Sequence, residues 1–423
     1  MKSSSTPQTL KGFRDFLPEE KRKRDYVEAK MRAVFERFGF APLETPTLEY
    51  ASLLLGKYGT EADKLVYTFE DRGERQIGLR YDQTVPTARV LSQYQNELPP
   101  FFRRYQIQNV FRADKPQKGR YREFKQCDCD VLGSTSPLAD AEILAVYYSV
   151  FREIGLTSII IEFNDRQTLI NTLSPFATPE VGVFSLIQSI DKLDKLAPKD
   201  VADELVGKGL QVTAAEQVLS AIQSADMSSN LAEIVEAAVN LGVPREALQF
   251  NPKIARGLDY YTGLIFEGKV PEYAVGAVGG GGRYDNLIKS LAGLEMPAVG
   301  FGIGFDRTVE AADQLGLIPS ENTGTQVLVT IFSPEFQAEA LRAAAALRAA
   351  GLRTEVFPNN TVKLGKQFKL ADQKRIPYVI VIGEDEARQN QVTLRDMKTG
   401  SQSPMTLEAA IAACQQPAEY VTL

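Results

Sequence analysis

Strand-like segments lie on both sides of a helical stretch, and this interruption constrains the fold more than any other feature of the sequence. The first group covers residues 65–69, 76–80, 102–111, 123–132 and 158–163, each rich in alternating or β-branched and aromatic residues. Ahead of it, residues 17–38 place Tyr26, Met31, Val34 and Phe35 at helical spacing. Phe40-Ala-Pro-Leu-Glu-Thr-Pro46 follows and is extended, because a residue before proline avoids helical dihedrals. From about 167 to 250 the chain turns Ala-, Leu-, Glu- and Lys-rich. Helical periods run over 183–196, 199–206, 214–222 and 231–241, with Pro175, Pro198 and Pro244 as punctuation. Strand-like sequence resumes at 260–266 and 273–278, then come a helix over 283–291 and a glycine-punctuated segment, 299–305. The order predicts an α+β fold: a mostly antiparallel sheet flanked by helices, split by a small helical insertion.

The C-terminal hundred residues read differently. A buried strand over 326–332 leads to Ser333 as an N-cap and Pro334 at the first helical position, then an Ala-rich helix closed by Gly351. A strand at 354–357, a helix at 366–374 and a strand at 378–383 complete a βαβαβ order. That order implies parallel strands with right-handed crossovers and a separate α/β domain. At 423 residues the chain exceeds what one core serves. The expected division is 1–166 and 251–318 as two parts of one domain, 167–250 as the insertion, 319–325 as a linker and 326–423 as the last domain.

Composition narrows the chemistry. The sequence contains no histidine, so Ser-His-Asp and Cys-His catalysis and His-ligated zinc are excluded. What remains is positioning and charge stabilisation by Arg, Lys, carboxylates, Gln, Tyr and Thr, as in reactions at phosphorus. Cys127, Cys129 and Cys414 are too few for a disulfide framework, fit a reducing cytoplasm, and read as small buried hydrophobes rather than metal ligands. No apolar run is long enough to span a membrane, and residues 1–10 lack an apolar signal core. A formal charge of −6 argues against a DNA-coating protein but leaves RNA open, because local basic clusters govern docking.

The densest cluster runs from Phe111-Arg112 to Asp130: two strands flank a loop carrying Lys115, Lys118, Arg120 and Arg122. Such a hairpin can present cations to polyphosphate or an RNA backbone. Beyond the turn, alternation places Phe124, Gln126, Asp128 and Asp130 on one face, which resembles a small-molecule site more than a solvated turn. Asp82 and Thr84 share a face of an extended segment. Arg256 precedes a glycine and the paired Tyr260 and Tyr261. Val278-Gly-Gly-Gly-Gly282-Arg283-Tyr284 reads as a loop allowing close backbone approach, yet it has neither the lysine of a P-loop nor a dinucleotide fingerprint.

In order and wording these segments resemble the histidyl-tRNA synthetases, within the class II aminoacyl-tRNA synthetases. Lys11-Gly-Phe-Arg-Asp-Phe-Leu-Pro18 resembles the family's start, Thr45-Pro46 the end of the class's dimer-forming motif, and Arg112 through Asp130 its second motif. Arg256-Gly-Leu-Asp-Tyr-Tyr261 and Gly281-Gly-Arg-Tyr-Asp285 match two histidine-specific signatures, and Gly302-Ile-Gly-Phe-Asp-Arg307 the third class motif. The resemblance runs nearly end to end. It implies a class II catalytic core, an anticodon-binding C-terminal domain, a homodimer, and ligation of histidine to tRNA(His) with ATP and Mg2+. Arg112 would hold the α-phosphate, Phe124 stack on adenine with Asp114 beside it, and Arg307 bind the other adenine face and the γ-phosphate. Arg256 would bridge the histidine carboxylate and the α-phosphate. Asp82, Thr84 and Gln126 would take the α-ammonium, Asp130 and Tyr261 read the imidazole, and Tyr260 and Tyr284 line that pocket. Lys115, Gln117, Lys118 and Arg120 would approach the tRNA acceptor end. Asp114 stands where the class usually has glutamate, and Gln83 where leucine is frequent. A non-catalytic, histidine-sensing relative is the alternative; such a protein is expected to lose the anticodon domain.

Overall fold

A twenty-residue helix, α1 (Pro18–Arg37), sets the first face of the fold. Val27, Met31, Val34 and Phe35 recur at the one-stripe spacing of an amphipathic helix and are fully buried, each contributing about 1.5–3 kcal/mol of apolar burial. The computed structural model describes residues 7–56, 63–116, 121–194, 196–255, 260–273, 275–319 and 324–415. Arg256, Gln117, Lys118 and Arg120 lie outside them. Two compact units emerge, one up to Ile318 apart from Leu17–Arg22, the other Leu17–Arg22 with Pro319 onward.

In the first unit, β1 (Ala41–Pro42) is followed by a small antiparallel sheet of β2 (Leu48–Tyr50), β3 (Thr68–Glu70) and β4 (Gln76–Leu79), in the order β2-β4-β3. Helix α2 (Thr84–Gln93) comes next, so the segment of Asp82 and Thr84 is not extended as expected. The Asp82 carboxylate accepts from Val85 N at 3.0 Å and starts the helix, a capping role the residue type favours.

Strands β5 (Phe102–Phe111) and β6 (Glu123–Leu132) pair antiparallel over their full length and match the expected bounds. Helix α3 (Pro137–Ile154) follows, capped by Ser136 and ended by Gly155 in the left-handed region. The sequence expectation lacked this helix. Most of its residues are buried whichever way they point, so no amphipathic period marks it.

After β7 (Ile160–Asp165) come α4 (Arg166–Leu173), α5 (Val183–Ile190), α6 (Pro198–Gly207), α7 (Val212–Gln223) and α8 (Ser229–Asn240). The first four share their own apolar cluster, including Leu169, Leu186, Leu205 and Val218. Leu231, Ile234, Val235 and Ala238 of α8 belong instead to the central core, beside α3. Strands β8 (Leu248–Phe250) and β9 (Leu264–Lys269) return to the sheet, and β10 (Gly279–Arg283) is the glycine run itself. That run is a strand rather than a loop, and residues 275–278 precede it without forming the expected strand. Helix α9 (Leu287–Ala292) starts later than expected, because Arg283 still belongs to β10. Strand β11 (Ala298–Gly304) and α10 (Phe305–Gln314) finish the unit. The eight-stranded order is β1-β5-β6-β11-β10-β9-β7-β8, antiparallel except at its two ends, β1 with β5 and β7 with β8.

In the second unit β12 (Val327–Val329) pairs in parallel with β13 (Thr354–Val356) and β14 (Tyr378–Val381), as the βαβαβ pattern requires, with α11 (Gln337–Ala349) and α12 (Leu364–Gln373) as crossovers. Beyond expectation, α13 (Glu384–Gln389), two antiparallel strands, β15 (Val392–Asp396) and β16 (Gln402–Met405), and α14 (Leu407–Gln415) complete it.

Arg283 ties the first unit together where β10 ends. Its guanidinium meets the Asp140 carboxylate at 3.0 Å from Nε, Asp285 Oδ1 at 3.0 Å, and the carbonyls of Ser134 and Ser136. Burial pushes the Asp140 carboxyl up, and Arg283 opposes that shift. Arg283→Met leaves this carboxylate buried without its cation and is expected to destabilise the fold by about 3–5 kcal/mol, read by urea denaturation.

Candidate active site

The site grows from one register. Along β6, Cys127, Cys129 and Val131 point into the core, while Phe124, Gln126, Asp128 and Asp130 point the other way. Strand β11 lies beside it with Gly300 opposite Asp130, Gly302 opposite Asp128 and Gly304 opposite Gln126. The intervening Val299, Phe301 and Ile303 are core residues. A Cβ at position 300 would fall 1.9 Å from Asp130 Oδ1, and one at 302 would fall 3.2 Å from Asp128 Oδ1. The glycines therefore leave the polar side chains room to stand. The result is a cavity of about 1100 Å³ above a floor made largely of backbone.

Ten expected residues line this one cavity: Thr84, Arg112, Asp114, Phe124, Gln126, Asp130, Tyr260, Tyr261, Tyr284 and Arg307. Asp82 is buried behind the wall in its capping role, within electrostatic reach of Asp128 and Tyr260. Lys115 is exposed on the hairpin and does not line the cavity.

The walls differ in character. On one side Arg112 sits 4.4 Å from the Tyr81 ring and 5.2 Å from the Phe124 ring, and its Nε donates to the Tyr81 carbonyl at 3.2 Å. Arg307 donates to the Ala277 carbonyl at 3.0 Å. Two arginines and an aromatic face at one end suit a purine and its phosphates. At the other end, the Tyr260 and Tyr261 rings lie 4.5 Å apart, and Tyr284 meets Tyr260 edge-on. Tyr284 donates a short hydrogen bond to Asp130 Oδ1. Burial pushes the Tyr260 and Tyr284 hydroxyls well above their usual range, so both remain donors at neutral pH.

Several residues here carried no role in the sequence reading. Asp128 is buried and accepts from Gln126 Nε2 at 2.8 Å. Burial, with Asp130 and Asp82 nearby, raises its pKa to about 7, although Arg104 opposes the shift. Glu267, on β9 at the far wall, lies 3.2 Å from Lys269; a carboxylate inside an apolar strand run was the available signal. Gln83 is wholly buried and donates to the carbonyls of Gln108 and Gln126, which explains an amide where an apolar residue is frequent. Asp306 accepts from Arg14, Arg24 and the Lys125 backbone N–H, and so holds the start of α10 against β6.

An antiparallel sheet with a glycine floor, an arginine-bearing hairpin and a separate α/β unit is the architecture of a class II aminoacyl-tRNA synthetase. The chain belongs to the histidyl-tRNA synthetase family, whose model matches residues 12–307; an anticodon-binding domain model matches residues 326–416. Proteins named histidine–tRNA ligase are 39% identical in Wolinella succinogenes, across 96% of this chain and 97% of that one, and 39% identical in Gloeobacter violaceus, across 95% and 97%. The crystal structure of histidyl-tRNA synthetase from Nostoc sp. PCC 7120 superposes with a TM-score of 0.85 at 30% identity, across 97% of this chain and 99% of that one. Among the described residues no helix is long and apolar enough to cross a membrane.

The raised Asp128 pKa has a sign. Its folded-state value lies above its unfolded one, so between about pH 4 and pH 7 only the folded form keeps the proton, and stability falls as pH rises through that window. Asp128→Asn is expected to remove this slope, leaving the thermal midpoint higher than that of the parent above neutral pH. Midpoints measured on both sides of the window check it.

Proposed function

We propose that this cavity is where the chain, as a histidine–tRNA ligase, activates histidine with ATP and passes it to the 3′ end of tRNA(His). The observation that carries the reading is the convergence, in one cavity, of a cationic, aromatic end at Arg112, Phe124 and Arg307 with a carboxylate- and phenol-lined end at Asp130, Tyr261 and Tyr284. A carboxylate plus phenols discriminates a two-nitrogen ring from an apolar side chain, because leaving those groups unpaired is costly.

In the first step the histidine carboxylate attacks the α-phosphorus in line, and pyrophosphate leaves with the bonding electron pair. No protein nucleophile is needed, so a histidine-free site is adequate. Arg112 holds the α-phosphate, Phe124 stacks on adenine with Asp114 at its edge, and Arg307 binds the far adenine face and the γ-phosphate. Arg256 bridges the substrate carboxylate and the α-phosphate. Thr84 and Gln126, with Asp82 behind them, take the α-ammonium. Asp130 and Tyr261 read the ring, and Tyr260 and Tyr284 close that pocket. In the second step a ribose hydroxyl of the tRNA attacks the acyl carbon and AMP departs.

Mg2+ enters with ATP as substrate, held mainly by phosphate oxygens; the described residues contain no group of three His, Cys, Asp or Glu side chains placed to hold a metal. Lys115, Gln117, Lys118 and Arg120 meet the acceptor end. The C-terminal unit meets the anticodon, the insertion clasps the acceptor stem, and the working form is a cytoplasmic homodimer. A histidine sensor without ligase activity is disfavoured by the match to an anticodon-binding domain.

Histidine-dependent ATP–pyrophosphate exchange, with the other amino acids as controls, tests the reading; exchange with none of them would overturn it. Phe124→Ala is expected to raise the ATP KM by about tenfold, the scale of one lost stacking contact, while leaving the histidine KM near its parent value.

A further inference from the structure

One full positive charge beside the cavity takes no part in that chemistry. Arg104, on β5, is 1% exposed, deeper than Arg112 or Arg307. Burial disfavours its charge, but Asp130 and Asp128 beside it more than offset this and hold its pKa above the usual value. The guanidinium is fixed from behind: Nη1 donates to Gln106 Oε1 at 3.3 Å, and Gln106, wholly buried, donates to Thr45 Oγ1 at 2.8 Å. Its Nη2 lies 2.5 Å from Asp130 Oδ2. The contact is an ion pair without hydrogen-bond geometry, for Oδ2 has no hydrogen-bond partner among the described residues. Tyr284 occupies the other oxygen. Asp130 therefore lines the cavity as a buried carboxylate whose Oδ2 is shut in against Arg104.

The groups around it define its charge. From β6 come Asp128 and Cys129, from β5 Arg104, from the end of β10 Tyr284, and from the neighbouring wall Tyr260 and Tyr261; β11 offers only Gly300, and Asp82 acts through Asp128. Two adjacent carboxylates thus share a single cation. We propose that Arg104 is a specificity-determining positioning residue: it engages Oδ2 and keeps Asp130 ionised, so that the ring pocket demands an N–H donor from a neutral imidazole. The inference rests on the reading in which Asp130 accepts that N–H. While Asp128 keeps its proton, up to about pH 7, Arg104 and Asp130 cancel one another's charge, so a neutral ring suits the subsite better than an imidazolium. Without Arg104 the carboxyl takes a proton from solvent and is no longer an anionic acceptor.

The test is ATP–pyrophosphate exchange across pH with Arg104→Met, Arg104→Lys and Asp130→Asn. Loss of the cation raises the pH at which Asp130 ionises, so histidine binding recovers as pH climbs through the new value. For Arg104→Met the histidine KM is expected to rise about tenfold at neutral pH and to fall back toward the parent value as pH climbs, because losing the cation shifts the titration of a buried carboxyl upward. The ATP KM stays unchanged, and Arg104→Lys restores most of the loss at neutral pH. Should Arg104→Met fail to fold, Arg104→Gln, which keeps an amide donor for Gln106, gives the same readout. A histidine KM that follows the parent's pH profile, or histidine and ATP KM values rising together, overturns the proposal. Asp130→Asn separates the two claims. If it leaves the histidine KM untouched, the role of Asp130 itself fails; if it raises that KM while Arg104→Met keeps the parent profile, only the role of Arg104 fails.

Discussion

The pairing of β6 with β11 is the constraint on which the rest depends. A sheet side chain has two faces to choose from, and a slip of one residue exchanges them throughout a strand. Here the slip is forbidden twice. It would turn Cys127, Cys129 and Val131 out of the core, and it would drive Asp130 against Val299 or Phe301 instead of Gly300. Glycine opposite carboxylate gives up side-chain packing and β propensity. What it gains is a cavity whose floor is nearly all backbone, able to admit a flat ring and a polyphosphate at close range.

Beside the cavity, on the same face of the sheet, lies a buried polar layer unusual for a sheet interior. Arg80 donates to the carbonyls of Asn109 and Thr45, Gln83 bridges β5 and β6, and Gln106 and Gln108 bond one another and Thr45. Buried polar networks stabilise when their members are partnered and specify one arrangement over others. This one fixes the strand that carries Arg104 and the turn that carries Asp82, so the positions of the cavity's charges are set by buried neighbours rather than by solvent-exposed loops.

How much of this was legible depends on what each residue advertised. β5 and β6 were readable to their ends because their alternation is long and unbroken, and with them the shared face of Phe124, Gln126 and Asp130. Helix α3 was hidden by its own burial, since Ala141, Leu144, Tyr147 and Phe151 share the interior with residues on its other sides. The glycine strand β10 was hidden because glycine has no side chain to alternate. In β5 the pattern was present but its sense was concealed. Arg103 and Arg104 are neighbours of identical chemistry; one pairs with Glu142 on one face of the strand, the other is buried beside the cavity wall on the opposite face. Polar residues at alternate positions ordinarily mark a solvated face, and here Arg104 and Gln106 mark a buried one. Nothing local to the strand distinguishes the two cases, because the layer that covers them comes from residues 45–46 and 80–87.

The split of the sheet by a helical insertion also bears on how the chain is made. β6 emerges from the ribosome long before β11, its neighbour in the finished sheet, and in the interval one whole edge of a ten-residue strand has no partner. An edge of that length is open to pairing with another nascent chain. The residues along it temper the hazard: Phe124 is followed by Gln126, Asp128 and Asp130 on one face, and two like charges on a solvated edge repel their own copies. The carboxylates that line the cavity thus also place like charges along the strand until the long-range pairing with β11 closes the sheet.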